Sequence, residues 1–484
     1  MNSSFRRGGT HAALGFAIAL ALACSPVHAR STLPQNLGYG LDKLVESQLI
    51  IEAAQGRQIE LYDGWATEAA AEYAGRAIRD PNDANRFLVD ITLSGKVGFD
   101  ALRSTLEARF QTLSIQAVDK SYRGVGIIEG YISIDEVATL AQTKGVKGVF
   151  LGLKPELDSV PTEVADQLLP AGGAQAAAKD AATPDGGGPV VLNKLGSAFD
   201  QGVTQHRVDK INQFYNPAAP VNWTGSGITI GALSDSYDTR GTAPTAATSV
   251  ANFDLPGAAG HPTGNTQPVA IIQDLPAVGT DEGRGMLEIL HKMAPNARLG
   301  FATGSLGEVE FGNSIRTLAG LPGFEFTPPQ GGVFKADVIV DDISYGGEPF
   351  YGETIIGNAI DDVTAAGVSY FSSAGNNIGI NAYESTLRIV PNGTGLTAAT
   401  NSALVGTNID LTGVPANLYA GGFHNFNPIP GQLDVAQLVN MPNNTNASTE
   451  MQWNDPYDQR ELVLNNPPIF SASGSIPVTT NTVT

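Results

Sequence analysis

The chain is organised around one stretch, Gly-Val-Ser-Tyr-Phe-Ser-Ser-Ala-Gly-Asn, which runs from Gly367 to Asn376. Its apolar and aromatic first half predicts a buried strand, and the small residues that follow predict a turn. The turn presents Asn376, whose side-chain amide can donate a hydrogen bond to negative charge on a carbonyl oxygen, as an oxyanion hole requires. A turn without chemistry is the alternative interpretation, because Gly and Asn both tolerate left-handed backbone.

Strand and helix patterns alternate on the N-terminal side of this stretch. Strands are predicted at Ile228–Leu233, Leu299–Ala302, Ala336–Val340 and Val368–Ser372, and helices at Gly283–Met293, Asn313–Leu318 and Glu353–Ala366. Repeated βαβ units imply a parallel sheet with helices on both faces. We therefore expect an α/β domain over residues 196–380, with function at the carboxyl ends of its strands.

A second folded region is predicted at residues 86–153. Its pattern gives strands at Phe87–Leu93, Leu113–Val118, Val125–Ile134 and Val146–Leu151, and helices at Phe99–Phe110 and Asp135–Gln142. The order βαββαβ is that of a ferredoxin-like α+β fold. Residues 30–85 have helical spacing, whereas residues 154–195 are rich in Gly and Ala and predict a flexible linker that suits cleavage.

The two ends of the chain differ from the middle. Residues 1–29 have a basic start, an apolar run and a small-residue cleavage site, as a secretory signal peptide does. We expect a secreted protein, extracellular or periplasmic, with no cysteine after cleavage, because Cys24 is the only one. No later apolar run is long enough for an integral membrane segment. Residues 381–484, rich in Asn, Pro, Thr and Gly, predict a β-rich module.

The overall charge narrows the choice of partners. The formal net charge of -20 argues against nucleic acid or an anionic membrane surface as the main partner. Acidity keeps a protein soluble but does not name a substrate, so the function has to be sought in particular residues.

Two carboxylates join Asn376 at predicted element ends. Asp235 ends the first strand of the α/β domain, and Glu282 begins the helix that follows the next strand region. Because the carboxyl ends of parallel strands meet at one edge of a sheet, we expect these side chains to lie near one another. Helix capping or turn formation is the alternative role for such an Asp.

Together these positions resemble the subtilisin-like serine peptidases, with elements in the family's order over residues 204–380. Two further segments carry the resemblance, Met293-Ala294-Pro295-Asn296-Ala297 and Ile343-Ser344-Tyr345-Gly346-Gly347. They are similar to the Val-Ala-Pro-x-Ala segment and the Met-Ser-Leu-Gly-Gly strand of that family. The region at 86–153 resembles the family's inhibitory propeptide, and residues 381–484 resemble a β-rich insertion into its catalytic domain.

The resemblance implies a role for each of these residues. Asp235 and Glu282 act as an acid/base pair, and Asn376 donates to the oxyanion. Backbone groups of Ser344, Tyr345, Gly346 and Gly347 receive an extended peptide, and Ser373, Ala374 and Gly375 wall the side-chain pocket. The implied partners are polypeptide substrates and the chain's own propeptide.

One departure from the family concerns the base, because Glu282 stands where the family has His. The sedolisins, which share the fold, also use Glu, but pair it with an Asp where this chain has Met286. An isolated Glu, with a pKa of about 4.3, is a weak base at neutral pH. We therefore expect Asp235 and Glu282 to share a proton, with activity at acidic pH. His291 is expected to face the opposite side of the helix, as a core or helix-end residue.

The other departure concerns the nucleophile. No Gly-Thr-Ser-Met-Ala element occurs up to Thr484, so the nucleophilic Ser is expected downstream, and residues 1–484 alone are expected to have little peptidase activity. The alternative function is a non-catalytic, peptide-binding or surface-adhesive protein on a degenerate peptidase scaffold. No cofactor is required by either hypothesis. Structural calcium is common in relatives, but no calcium site is mapped, and no metal ligand is assigned.

Overall fold

The computed structural model describes residues 33–47, 70–71, 73–157, 195–197, 200–208, 223–346, 348, 354–375, 383–390, 422–430, 434, 439–440, 446–449, 474–477 and 482–483. The chain divides into two compact units. The described residues up to Gly375 belong to the first unit, and those from Tyr383 onward belong to the second.

The N-terminal part of the first unit, residues 33–157, is built on a mainly antiparallel sheet. It includes the region whose sequence resembles a propeptide, and the label pro region is used for it below with no function implied. Its strands are β1 (Leu37–Gly38), β2 (Arg79–Asp80), β3 (Asp83–Leu93), β4 (Ser114–Asp119), β5 (Ile127–Ser133) and β6 (Val146–Leu151), and its helices are α1 (Phe99–Arg109) and α2 (Ile134–Ala141). The strand order is β1-β6-β3-β5-β4, with β2 on β3. The βαββαβ order predicted for residues 86–153 is confirmed, with strand bounds within four residues of those expected.

The two faces of this sheet have different surroundings, because successive side chains of a strand point to opposite sides. On one face, Val89 and Ile91 of β3 pack with Leu102 and Leu106 of α1 in the main core. On the other face, β3 carries Asp90, which is also buried. Residues 41–47 are helical as predicted, but β1 and β2 lie in the stretch for which only helices were expected.

The remainder of the first unit contains a parallel sheet. Its strands are β8 (Thr229–Ser234), β9 (Ala270–Gln273), β10 (Arg298–Thr303), β11 (Val338–Asp341) and β13 (Ser369–Ser372), and its helices are α3 (Gln201–Gln205), α4 (Ala246–Ala251), α5 (Glu282–Met293), α6 (Glu308–Leu318) and α7 (Ile355–Ala365). The strand order is β13-β11-β8-β10-β9, and all pairings are parallel. The predicted α/β fold with a parallel sheet is confirmed.

Helices cover both faces of the parallel sheet, and alternation along the strands explains why. Ala232 of β8 packs with Leu287 of α5 in one core cluster. Its neighbour Leu233 packs with Ile315 of α6 and Val363 of α7 in the other. The sequence pattern missed β9 and α4, and it placed the start of α6 five residues late, at Asn313.

A short two-stranded sheet joins the pro region to the parallel-sheet region. Strand β7 (Glu156–Leu157) runs antiparallel to β12 (Ile343–Ser344), with Leu157 opposite Ile343 and Glu156 opposite Ser344. Strand β7 lies inside the stretch predicted as the linker 154–195, so that stretch begins with ordered structure. Residues 158–194 lie outside the described residues.

A second contact between the two regions is made by α6. Val309 of α6 packs against Ala117, Tyr122 and Ile127 of the pro region in a separate apolar cluster. The buried Arg316 of α6 lies with Nη2 3.2 Å from the Asp119 carboxylate and Nε 2.7 Å from Asp362. Removing one partner of such a buried ion pair is costly, because it leaves a charge buried without compensation.

The second unit contains short antiparallel strand pairs. They are β14 (Ile389–Val390) with β15 (Phe423–His424), β16 (Val439–Asn440) with β19 (Thr482–Val483), and β17 (Asn446–Thr449) with β18 (Gly474–Pro477). Every regular element described after residue 382 is a strand, in agreement with the predicted β-rich module. The particular strand predicted at 450–453 lies outside the described residues.

Two glycines of the first unit give opposite predictions for stability. A Cβ on Gly300 would lie 2.3 Å from the Phe334 ring, which is fully buried. We expect Gly300→Ala to destabilise the first unit by about 1–3 kcal/mol through overpacking. Gly285 lies on the exposed side of α5 with open space around it. Gly285→Ala should stabilise by about 0.5–1 kcal/mol. Thermal unfolding of both variants checks this, and a Gly300→Ala protein as stable as the parent would contradict the packing described.

Candidate active site

The candidate site lies at the carboxyl edge of the parallel sheet. From β8 the sheet extends to β10 and β9 on one side and to β11 and β13 on the other. Such a reversal of strand order leaves a crevice at the carboxyl ends of the two strands that flank it. Asp235 directly follows β8 and Asp341 ends β11, so both carboxylates lie at this crevice.

Asp235 is buried and its carboxylate accepts hydrogen bonds from four donors. Oδ2 accepts from the Ser236 hydroxyl at 3.0 Å, and from the Thr280 backbone N–H at 2.5 Å and hydroxyl at 2.8 Å. Oδ1 accepts from the backbone N–H of Glu282 at 3.1 Å. All four groups are donors, which suits an ionised carboxylate because it can only accept.

The loop before α5 is shaped to reach Asp235. Gly279 approaches so closely that a Cβ there would lie 2.2 Å from the Ser236 hydroxyl and 2.9 Å from the Asp235 carboxylate. Glu282 is the first residue of α5, and its N–H is one of the helix's free donors. Asp235 therefore binds the start of α5 to the end of β8.

Asp281 precedes α5 with left-handed backbone, at a φ of 61°. Its carboxylate accepts from the N–H groups of Thr239 and Arg240 at 2.7 and 3.0 Å, and pairs with Arg284 at 2.7 Å. Burial acts to raise the pKa of Asp281, but these hydrogen bonds and the Arg284 charge lower it on balance. Asp281 holds the loop and was not expected from the sequence to matter.

The structure brings the two predicted carboxylates, Asp235 and Glu282, to the same sheet edge. The bond that joins them is from the backbone N–H of Glu282, whose side chain is half-buried. The proton-sharing hypothesis for these two side chains remains a prediction.

The predicted oxyanion region is described as far as Gly375. Ser373 and Ala374 are exposed, and the Ser373 N–H donates to the Asp341 carbonyl at 3.2 Å. Gly375 has a φ of 70°, in agreement with the predicted turn. Asn376 lies outside the described residues, as does Gly347 of the predicted substrate strand.

The predicted substrate strand is engaged by the chain itself. Ser344 pairs with Glu156 through β12 and β7, and both Ser344 and Gly346 are exposed. Tyr345, expected to serve through its backbone, also has a buried side chain whose hydroxyl donates to the Gly304 carbonyl at 2.6 Å. Its ring therefore anchors the loop after β12.

Asp341 is a buried carboxyl at the crevice to which sequence reasoning gave no catalytic role. It accepts from the Ser372 hydroxyl at 2.7 Å. Burial raises the pKa of Asp341, although the hydrogen bond from Ser372 acts in the opposite direction. The signal in the sequence was its position at a strand end, which it shares with Asp235.

His291 is a core residue, as expected. It is fully buried in the last turn of α5, with Nε2 3.0 Å from Nε2 of His261. The Thr263 N–H donates to Nδ1 of His261, so His261 carries its proton on Nε2 and donates it to His291. Burial is the main cause that lowers the pKa of His291 to about 3, and electrostatic repulsion from His261 and Lys292 adds to it. His291 is therefore neutral and cannot replace Glu282 as a base of the site.

The described residues show neither of two other kinds of site. Among them no group of three or more His, Cys, Asp or Glu is placed to hold a metal ion. No helix in the described part of the chain has the length and apolar character needed to cross a membrane.

No protein-family model matches this chain, and no curated protein matches it. The function therefore has to be argued from the contacts at this sheet edge.

Replacing Asp235 should reduce the stability of the first unit, whether or not Asp235 has a catalytic role. Asp235→Ala leaves the N–H groups of Thr280 and Glu282 and two hydroxyls without their acceptor, so we expect a loss of about 2–4 kcal/mol. Asp361→Ala, at an exposed carboxylate on α7, should change stability by no more than about 0.5 kcal/mol. Urea unfolding measures both. Equal stability of the two variants would show that Asp235 does not hold α5.

The buried histidines predict how stability depends on pH. The folded state holds His291 neutral, so its contribution is complete above the ordinary value of 6.5 and is lost as pH falls towards 3. We expect the contribution of His291 to the free energy of unfolding to fall by up to about 2 kcal/mol between pH 7 and pH 5. His291→Gln, which keeps an acceptor for His261, should flatten this slope. An unchanged slope in that variant would assign the pH dependence to other groups.

Proposed function

We propose that this chain is the inhibited precursor of a secreted serine-type endopeptidase of the subtilisin-like class. In this proposal Asp235 and Glu282 act as the acid/base pair and Asn376 donates to the oxyanion. The nucleophilic Ser is expected from outside residues 1–484. The polypeptide substrate lies along β12, and the pro region occupies that place in the precursor.

The observation that carries the proposal is the pairing of β7 with β12. The sequence resemblance designates Ser344 to Gly347 as the strand that receives an extended peptide. In the structure, Glu156 and Leu157, the last described residues of the pro region, run along β12 as a partner strand. A substrate peptide would bind by the same backbone hydrogen bonds, which do not depend on its sequence.

The docking of the pro region on α6 supports the same layout. The buried Arg316–Asp119 pair and the apolar cluster around Val309 hold the pro region beside the site. From Leu157 the chain continues into the Gly- and Ala-rich stretch, where cleavage would separate the pro region from the rest. Bound to α6 and β12, the cleaved pro region would still exclude substrate.

The chemistry proposed for the pair depends on the side chain of Glu282. Asp235 is held rigidly by its four donors, so it can orient a neighbouring group without itself moving. Glu282 stands at a helix start, which favours its ionised form, whereas a close carboxylate favours a shared proton. An acidic optimum follows if the second effect dominates, because the pair must retain one proton.

A specific observation favours a second candidate, the peptide-binding or adhesive protein without catalysis. The four hydrogen bonds of Asp235 also fit a purely structural role, because they bind α5 to the sheet. In that case peptides would add to β12 as strands without being cleaved.

The deciding experiment uses the product of the complete reading frame. We expect it to cleave casein, to react with a fluorophosphonate probe for nucleophilic serine, and to lose both properties in the Glu282→Ala variant. Glu325→Ala, at an exposed site, serves as the control and should keep them. Peptide binding without cleavage or probe labelling would support the second candidate.

A further inference from the structure

Two carboxyl groups of the pro region face α6 from neighbouring strands. Asp90 of β3 and Glu129 of β5 are directly opposite one another in the antiparallel register. Both side chains are buried, at 2% and 0% exposure, on the sheet face away from α1 and α2. Ionising both would place two like charges side by side in this buried face, so the arrangement favours a pair that holds one proton.

Glu129 reaches across to the start of α6. Its Oε2 accepts from the N–H of Val309 and its Oε1 accepts from the N–H of Glu310, each at 3.2 Å. A Cβ on Gly307 would lie 2.3 Å from this carboxylate, so glycine lets the backbone approach. Free N–H groups and the helix dipole favour one negative charge at this point.

The other titratable groups around the pair do not compensate a second negative charge. Glu308 and Glu310 belong to the first turn of α6. The other two groups are the hydroxyls of Tyr345 and Tyr131, whose pKa values are raised by burial and then by the charge of Glu129. Burial, then Asp90, raises the pKa of Glu129 well above its ordinary 4.5. Burial also raises the pKa of Glu310 to about 7.

We propose that Asp90 and Glu129 form a proton-operated clasp that holds the pro region on α6 while the pair keeps one proton and releases it when that proton is lost. The clasp itself does not depend on the proposed function. Only its consequence, control of access to β12, rests on that function. With one proton, the pair has a single negative charge, and the N–H groups at the start of α6 stabilise that charge. With none, two like charges lie directly opposite in a buried interface, which is destabilising.

The direction of the pH effect follows from linkage. The docked state binds a proton that the separated state gives up near the ordinary pKa of 4.5. Docking is therefore strongest below that pH and weakens as pH rises through the higher value of the docked pair. Glu310 adds to the weakening up to about pH 7.

Amide hydrogen exchange of the whole chain tests the clasp, since the N–H groups of Val309 and Glu310 are its direct partners. After division by the intrinsic exchange rate at each pH, we expect the opening constant of these amides to rise with pH between 5 and 8. The limiting slope is about tenfold per pH unit, as the loss of one proton requires. The opening constants of the Leu102 and Leu106 amides, in the core of the pro region, should not rise in the same way. This difference distinguishes undocking of the pro region from its unfolding.

Two variants complete the test. Asp90→Asn leaves one ionisable group and a hydrogen-bonding amide, so the opening constant should stay low and lose most of its pH dependence. Asp361→Asn, at an exposed carboxylate on α7, should behave like the parent chain. A flat parent profile, or an Asp90→Asn profile as steep as the parent's, would overturn the clasp. The readout needs no peptidase activity, so failure of the proposed function would leave it unaffected.

Discussion

Two helices of the parallel-sheet region begin at a buried carboxylate that comes from another part of the chain. Asp235, at the end of β8, accepts from the first N–H of α5, and Glu129, on β5 of the pro region, accepts from two N–H groups of α6. Helix starts leave such donors free, and a buried donor without an acceptor is costly. One interaction assembles the site, and the other fixes the pro region against it.

The two contacts explain why the candidate site and the pro region belong to one compact unit. Asp235 sets the position of Glu282 relative to the crevice between β8 and β11. Glu129, together with Arg316, places the sheet of the pro region so that β7 reaches β12. An antiparallel strand pair of only two residues has little stability alone. Its presence therefore depends on docking elsewhere, and the proposed clasp would transmit a change of charge at Glu129 to β12.

Much of the first unit could be predicted from the sequence, because its longer elements carry clear periodicity. Helices α1 and α5 and strands β3 and β6 lie close to their expected bounds. Elements decided by distant partners could not be predicted. Strand β7 has two residues at the start of the stretch predicted as a linker, and it exists because β12 pairs with it. The role of Glu129 gave no local signal, since its partners lie 180 residues further along the chain. In the candidate site, the sequence pattern predicts the positions of Asp235 and Glu282 at element ends, where the structure has them, but it gives no role to Asp281, Thr280 or Asp341.

The central claim is that the chain's own segment occupies the strand designated for substrate. Its most direct test is a cross-link between the register partners Glu156 and Ser344, each replaced by cysteine, in a chain whose only other cysteine is Cys24. Mild oxidation should join this pair almost completely and leave a mismatched pair, Glu156→Cys with Gly346→Cys, largely free. Equal cross-linking of both pairs, or of neither, would contradict the pairing and with it the precursor account.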